Sequence, residues 1–206
     1  MTLSEIEIRR RLNPNTSKYN IDRLIVTPLL DPNDQISQSG IDLRLGKQFI
    51  LFKTHISDSL NPVAIKADRP QIKKYQEEII ISSKNKFVLH PGQFILGSTF
   101  EYLGIPGDLD ARIDGRSSWA RMGLLIATAS TIQPYFKGVV TLELTNHGSI
   151  PIVLYPGLKI AFITFKLLDT PVKYNNYTAG KYVCSIGPGY TKIYEDNYIE
   201  YITNHF

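Results

Sequence analysis

Along "GVVTLELTN", residues 138–146, Val140, Leu142 and Leu144 fall on one side of an extended chain, and Thr141, Glu143 and Thr145 on the other. A period of two belongs to a strand with one face in a core and one polar face. Runs rich in β-branched and aromatic residues also occupy 41–52 ("IDLRLGKQFILF"), 87–105 ("FVLHPGQFILGSTFEYLGI") and 152–165 ("IVLYPGLKIAFITF"). They predict further strands. Within the last of them, "LKIAFITF" is apolar on both faces, as a strand covered on both sides would be. Pro-Gly pairs at 91–92, 106–107 and 156–157 adjoin these runs. Proline presets φ at one turn position and glycine accepts positive φ at the next, so each pair predicts a hairpin or corner turn. The start of the chain differs. In "TLSEIEIRRRLN", Thr2 and Glu5 have the spacing of a capping box, and Asn13-Pro14 stops the helix that follows.

No fixed-period repeat, low-complexity tract or linker interrupts this pattern, so one mainly-β barrel or sandwich domain over 1–206 is expected. Residues 173–198, "KYNNYTAGKYVCSIGPGYTKIYEDNY", carry Tyr, Asn and Gly without a period. They read as an extended tail that orders on binding a ligand, or as a terminus without function.

Composition narrows the chemistry. With 206 residues and 43% hydrophobic content, the chain can bury a sizeable core. Its net charge of +4, from 23 basic and 19 acidic residues, is spread along the sequence, a mild preference for anionic ligands. No nucleic-acid-binding motif accompanies it. Cys184 is the one cysteine, which leaves no disulfide framework or thiolate metal site within a chain. No run of 18 apolar residues occurs, so no membrane span is expected, and the protein reads as soluble and cytoplasmic. His55, His90, His147 and His205 lack zinc-site spacing, and a cysteine-ligated deaminase zinc needs at least two cysteines. Zinc-activated water is therefore excluded, and no G-x-S-x-G elbow supports serine hydrolysis.

"GRSSWARMG", residues 115–123, concentrates hydrogen-bond donors. Ser117 suits an N-cap, Trp119–Met122 a helical turn and Gly123 the position that ends it. Free backbone N–H groups, the Ser117 and Ser118 hydroxyls and the Arg116 guanidinium would then form a phosphate site, with Arg121 on the same face as Ser117. The plainer reading is a capped surface turn with solvated arginines. Glu143 likewise reads either as a solvated residue or as a general base looking into a pocket.

The succession "SGIDLRLGKQF", "LHPGQFILGSTFEYLGIP", "DGRSSWARMGL", "TASTIQPYFKGVVTLELTN" and "YPGLKIAFITF" resembles the dCTP deaminase branch of the dUTPase-like superfamily over about residues 3–195. The resemblance implies a homotrimer of distorted, jelly-roll-like β-barrel subunits with active sites between subunits, and zinc-independent conversion of dCTP to dUTP and ammonia. It gives Glu143 the proton transfers, Arg121 and Ser117 the orientation of the water, and the Ala129 carbonyl a place beside the base. Arg116 and Ser118 match phosphate contacts, and Trp119 and Ala120 complete that nucleotide-binding segment. Thr141 and Leu142 lie on the strand lining the nucleoside. Tyr174, Lys181 and Ser185 belong to a C-terminal segment, 170–206, that closes over the triphosphate. Magnesium would arrive with the triphosphate, and dTTP is the candidate feedback inhibitor.

Four positions depart from the family. Gln133 stands where an aspartate is common, Tyr135 replaces a glycine, Thr131 an arginine and Ser185 a glutamine, and the loop reads as one residue shorter than in bacterial relatives. A neutral Gln133 favours dUTP over dUMP as product. A bifunctional or dUTP-cleaving enzyme, or a non-catalytic nucleotide-binding paralogue, is the alternative.

Overall fold

The computed structural model describes residues 1–15, 23–53, 59–67, 71–127, 131–174 and 181–205. Helix α1 (Glu5–Leu12) opens the chain, with Glu5 and Glu7 in its first turn and Arg9, Arg10 and Arg11 in its last, the arrangement that suits the helix dipole. Its cap is Ser4 and not Thr2, which instead bridges to Lys166, so the expected capping box does not form. Then come β1 (Ile25–Thr27), α2 (Pro32–Gln35), β2 (Ile36–Ser37), β3 (Gly40–Arg44), β4 (Gln48–Phe52), α3 (Pro62–Ala67), α4 (Gln71–Tyr75), β5 (Gln76–Ile80) and β6 (Phe87–Leu89). The second half holds β7 (Phe94–Gly104), β8 (Leu109–Gly115), α5 (Ser117–Ala120), β9 (Leu124–Ile126), β10 (Thr131–Ile132), β11 (Lys137–Asn146), β12 (Ile152–Leu154), β13 (Lys159–Leu167) and α6 (Asn197–His205).

The strands pair antiparallel in two main sheets, β5-β4-β7-β11-β9 with β1 also on β7, and β10-β8-β13-β3-β2, while β12 and β6 form a ribbon. The fold is mainly β, as expected, and among the described residues each sheet is an open path of strands without a closed barrel. One apolar cluster draws Ile41, Leu43 and Phe165 from one sheet and Phe49, Ile95, Leu142 and Leu144 from the other. On β11 the burial alternates as the sequence predicts: Val140, Leu142 and Leu144 are buried, and Thr141, Glu143 and Thr145 half-buried. Strand β13 departs from its expectation, since Ala161, Ile163 and Phe165 are buried while Phe162 and Thr164 opposite are only half-covered.

Gly92 (φ 72°) and Gly157 (φ 93°) take the positive φ that their Pro-Gly turns require. Gly107 serves otherwise. A Cβ there would lie 2.2 Å from the Tyr135 hydroxyl oxygen, so its bare backbone makes room for that ring. Beside the core, Glu101 is fully buried and accepts from the Arg44 backbone N–H (2.8 Å), Arg44 Nε (2.6 Å) and Gln35 Nε2 (3.1 Å). This charge is matched by donors as a buried carboxylate must be. Among the described residues no helix is long and apolar enough to cross a membrane.

Candidate active site

Antiparallel register puts Phe52 opposite Gln76, Ile50 opposite Leu96, Leu96 opposite Glu143, and Ser98 opposite Thr141. Because alternate residues share a face, Gln76, Phe52, Phe94, Leu96, Thr141 and Glu143 look out from the side of the sheet that faces away from the core. That side is covered. Leu60, Pro62 and Ile65 cover it from α3 and the turn before it, and Ile132, Gln133, Pro134 and Phe136 together with Lys181, Tyr182, Gly189, Thr191 and Ile193 complete the wall of a cavity of about 1060 Å³.

Glu143 is the one carboxylate in this wall, and its Oε2 is buried with no hydrogen-bond donor among the described residues. Such an atom is costly to leave unmatched and is where a ligand or a water finds use. Thr141, two residues before it on the same face, accepts from the Gly189 N–H at 2.9 Å, which ties the tail to β11.

The C-terminal segment is not an unstructured tail. Cys184 N–H donates to Lys137 O (2.5 Å) and Val139 N–H to Ser185 O (2.9 Å), so 184–185 run alongside β11. Gly138 (φ 143°) permits this approach, since a Cβ there would meet the Ser185 nitrogen at 3.0 Å. Beyond it, α6 turns Ile199 inward, and Lys66 Nζ of α3 donates to Asp196 O at 3.0 Å. The sequence lacked a visible period because the segment is held by backbone pairing and one short helix. Lys181 pairs with Asp196, whose hydrogen bond holds the amine above its ordinary pKa. Ser185 contributes backbone, not side chain, to the docking. Tyr174 does not line the cavity; it lies edge-on to Tyr135 at 5.2 Å. Tyr135 occupies the left-handed region (φ 65°), where glycine is favoured, and its hydroxyl donates to Val172 O at 2.7 Å.

"GRSSWARMG" folds into the one-turn α5, with Arg116 and not Ser117 at the N-cap. Gly123 (φ 95°) ends the turn as expected. Trp119 Nε1 donates to Lys159 O at 2.8 Å, and Arg116 pairs with Asp42 at 3.2 Å, so these two brace the turn. Ser117, Ser118, Ala120 and Arg121 are exposed. None of the segment lines the cavity holding Glu143. Arg121 instead borders a second hollow of about 430 Å³ with His147 and Ser149. Within one chain, therefore, Glu143, Thr141, Gln133 and Lys181 come together, and Arg116–Arg121 do not join them. Leu142 is fully buried in the core, so any contact with a nucleoside would have to come from its backbone. Ala129 lies outside the described residues. Among those described, no three His, Cys, Asp or Glu side chains converge as metal ligands.

Gln76, Phe52 and Phe94 were not anticipated as lining residues. A glutamine opening a strand looks like surface until the cover of α3 is known.

The family model described as dCTP deaminase-like matches residues 3–168. The chain is 38% identical over 199 residues to the dCTP deaminase of Haloarcula marismortui, covering 95% of this chain and 96% of that protein. It is also 38% identical over 196 residues to a Dictyoglomus turgidum protein named dCTP deaminase, dUMP-forming, covering 94% and 95%. The crystal structure of 2'-deoxycytidine 5'-triphosphate deaminase from Agrobacterium tumefaciens superposes with a TM-score of 0.59 at 23% identity, over 81% of this chain and 46% of that one, a likeness of fold.

Proposed function

The chain belongs to the dCTP deaminase-like family, and we propose that it hydrolyses dCTP to dUTP and ammonia at the cavity holding Glu143. The observation that carries this reading is the unpartnered, buried Oε2 of Glu143 on the wall of a nucleotide-sized cavity. Glu143 takes a proton from water as the oxygen adds to C4 of the cytosine, and passes that proton to the ring at N3. The C4–N bond then breaks, and the amino group leaves with a second proton from the water, by way of Glu143, as ammonia. One carboxylate carries each proton in turn, so its position relative to C4 governs the rate.

Ser117 and Arg121 hold this water from a second copy of the chain in a homotrimer. Their side chains are exposed and have no hydrogen-bond partner among the described residues, and the half-covered Phe162 face of β13 offers surface for assembly. Arg116, Ser118, Trp119 and Ala120 travel with them and meet the phosphates, joined by Lys181 from the tail. Sedimentation giving a stable monomer at micromolar concentration would refute the shared site. A cavity wall with a single carboxylate among the described residues does not suit a directly bound divalent cation. Magnesium would be held by the triphosphate and would neutralise its charge. The same cavity would accept dTTP as a product-related inhibitor.

A second reading, deamination followed by release of dUMP and diphosphate, has the name of the Dictyoglomus relative in its favour. Gln133 stands against it. Its amide lies at the cavity wall and can hold a sugar hydroxyl but cannot deprotonate a second water. A time course of dCTP turnover with ammonia and diphosphate both quantified decides: ammonia alone is expected, and stoichiometric diphosphate establishes the bifunctional reaction.

A further inference from the structure

The cavity is longer than one reaction centre needs. From Glu143 on β11 it runs across β7 and β4 to Gln76 on β5. Glu143 is in register with Glu78 through Leu96 and Ile50, so Gln76 stands three strand steps across and two residues along from it, about 16 Å between backbones. At the far end the wall is Phe52, Phe94, Leu60, Pro62 and Ile65, with no charged side chain among them. Phe52 and Phe94 stand 5.4 Å apart with tilted rings, making an apolar slot. Into this slot falls one polar group, the Gln76 amide. Gln76 is 5% exposed, and its Oε1 is buried without a donor. Nature rarely leaves such an oxygen unmatched in apolar surroundings.

Building on the deaminase reading above, we infer that this annex receives a substituent on C5 of the pyrimidine, and that the preferred substrates include 5-substituted dCTP carrying a short apolar or hydroxymethyl group. C5 is bonded to C4, the atom attacked beside Glu143, while N3 faces the carboxylate, so the C5 edge points away from Glu143 along the cavity. The attacking water, the C4–C5 bond, a hydroxymethyl arm and one hydrogen bond together span roughly 12 Å, and the Glu143 and Gln76 side chains reaching in from the two strands cover the remainder. The amide of Gln76 turns readily about its last torsion, so its oxygen can accept from the hydroxyl of the substituent. The chemistry is the same hydrolysis: water adds at C4, ammonia leaves, and the C5 group is untouched.

The test compares dCTP, 5-methyl-dCTP and 5-hydroxymethyl-dCTP as substrates of the purified protein. Both substituted nucleotides should be turned over with kcat/KM within about tenfold of dCTP or better. Gln76→Leu should lower the ratio of kcat/KM for 5-hydroxymethyl-dCTP over 5-methyl-dCTP by about tenfold, as expected for one lost hydrogen bond. Gln76→Asn, which keeps an amide on a shorter arm, should fall between. Rejection of both analogues by more than about a hundredfold, or a ratio unmoved by Gln76→Leu, overturns the annex while leaving dCTP deamination in place. Should no nucleotide release ammonia, calorimetric binding of the same three still decides: 5-hydroxymethyl-dCTP binding tighter than dCTP, with the difference lost in Gln76→Leu, sustains the annex, and equal binding removes it.

Discussion

Replacing Glu143 by Gln separates activity from stability, because the folded chain gives this carboxylate no donor for Oε2. In the unfolded chain water satisfies both oxygens. The folded state therefore carries a desolvation cost of about 1–3 kcal/mol at this atom. An amide is easier to desolvate than a carboxylate, so Glu143→Gln should recover part or most of that cost. For a chain of this length each kcal/mol moves Tm by about 2–4 °C, giving a rise of about 2–10 °C at fixed protein concentration. Turnover should fall by at least about a hundredfold, and by more than ten-thousandfold if both proton steps depend on the group. Differential scanning calorimetry and an ammonia-release assay on the same preparations read the two effects. The expected pairing, a hotter melt with a dead enzyme, is that of a site whose chemistry is maintained against stability. A variant that keeps more than about a tenth of its turnover removes Glu143 from the mechanism. One that melts lower shows that Oε2 is matched in solution.

Arg44→Met should destabilise the protein by about 3–5 kcal/mol in denaturant titrations, because Glu101, fully buried, would lose the guanidinium that faces it. Removing residues 181–206 should leave a cooperative, β-type circular dichroism transition while raising KM for dCTP, since the tail contributes Lys181 and the Gly189 anchor to the cavity but no strand to either main sheet. Loss of folding would give the tail a structural role instead. The carboxyl of Glu7 is held down at about 2 from its ordinary 4.5, chiefly by the hydrogen bond from Arg10, with Arg11 adding to it. A folded-state value below the unfolded one means that the contribution is complete above about pH 4.5 and is lost as pH falls toward 2. The pair is partly solvated, so about 1 kcal/mol is at stake, and in Glu7→Gln the stability difference from the parent should shrink over that acid range.

Strand β11 was legible because its period is strict: a slip of one residue would bury Glu143 and expose Leu142, so the pattern specified both the face and the register. The Pro-Gly turns at 91–92 and 156–157 were legible for a local reason, the positive φ of the glycine. The Pro-Gly at 106–107 belonged to another constraint, the tight seat of Tyr135, which no local rule encodes. Likewise the roof of the cavity could not be read. Residues 62–67 form a helix too short to carry a period, and what it covers is set by chain return and not by its own pattern. The docking of the tail on β11 was not legible for the converse reason, since backbone pairing to Lys137 and Val139 places no demand on the side chains that a sequence displays.

The separation of Glu143 from Ser117 and Arg121 within one chain makes a shared site testable by complementation. If each site takes its carboxylate from one copy and its water-orienting donors from the next, then Glu143→Gln and Arg121→Ala subunits are each inactive alone but defective in different halves of the site. In a cyclic trimer assembled at random from equal amounts of the two, a given site pairs an intact Glu143 with an intact Arg121 in about a quarter of cases. Mixing after reversible dissociation should therefore restore about a quarter of parental kcat, with KM unchanged, because the rescued sites are wholly native. A site built within one chain cannot behave this way. Each subunit would carry its own lesion, and no mixture would exceed the activity of its parts. Exchange must be verified by mass-tagged subunits, so that an inactive mixture with full exchange counts against the shared site.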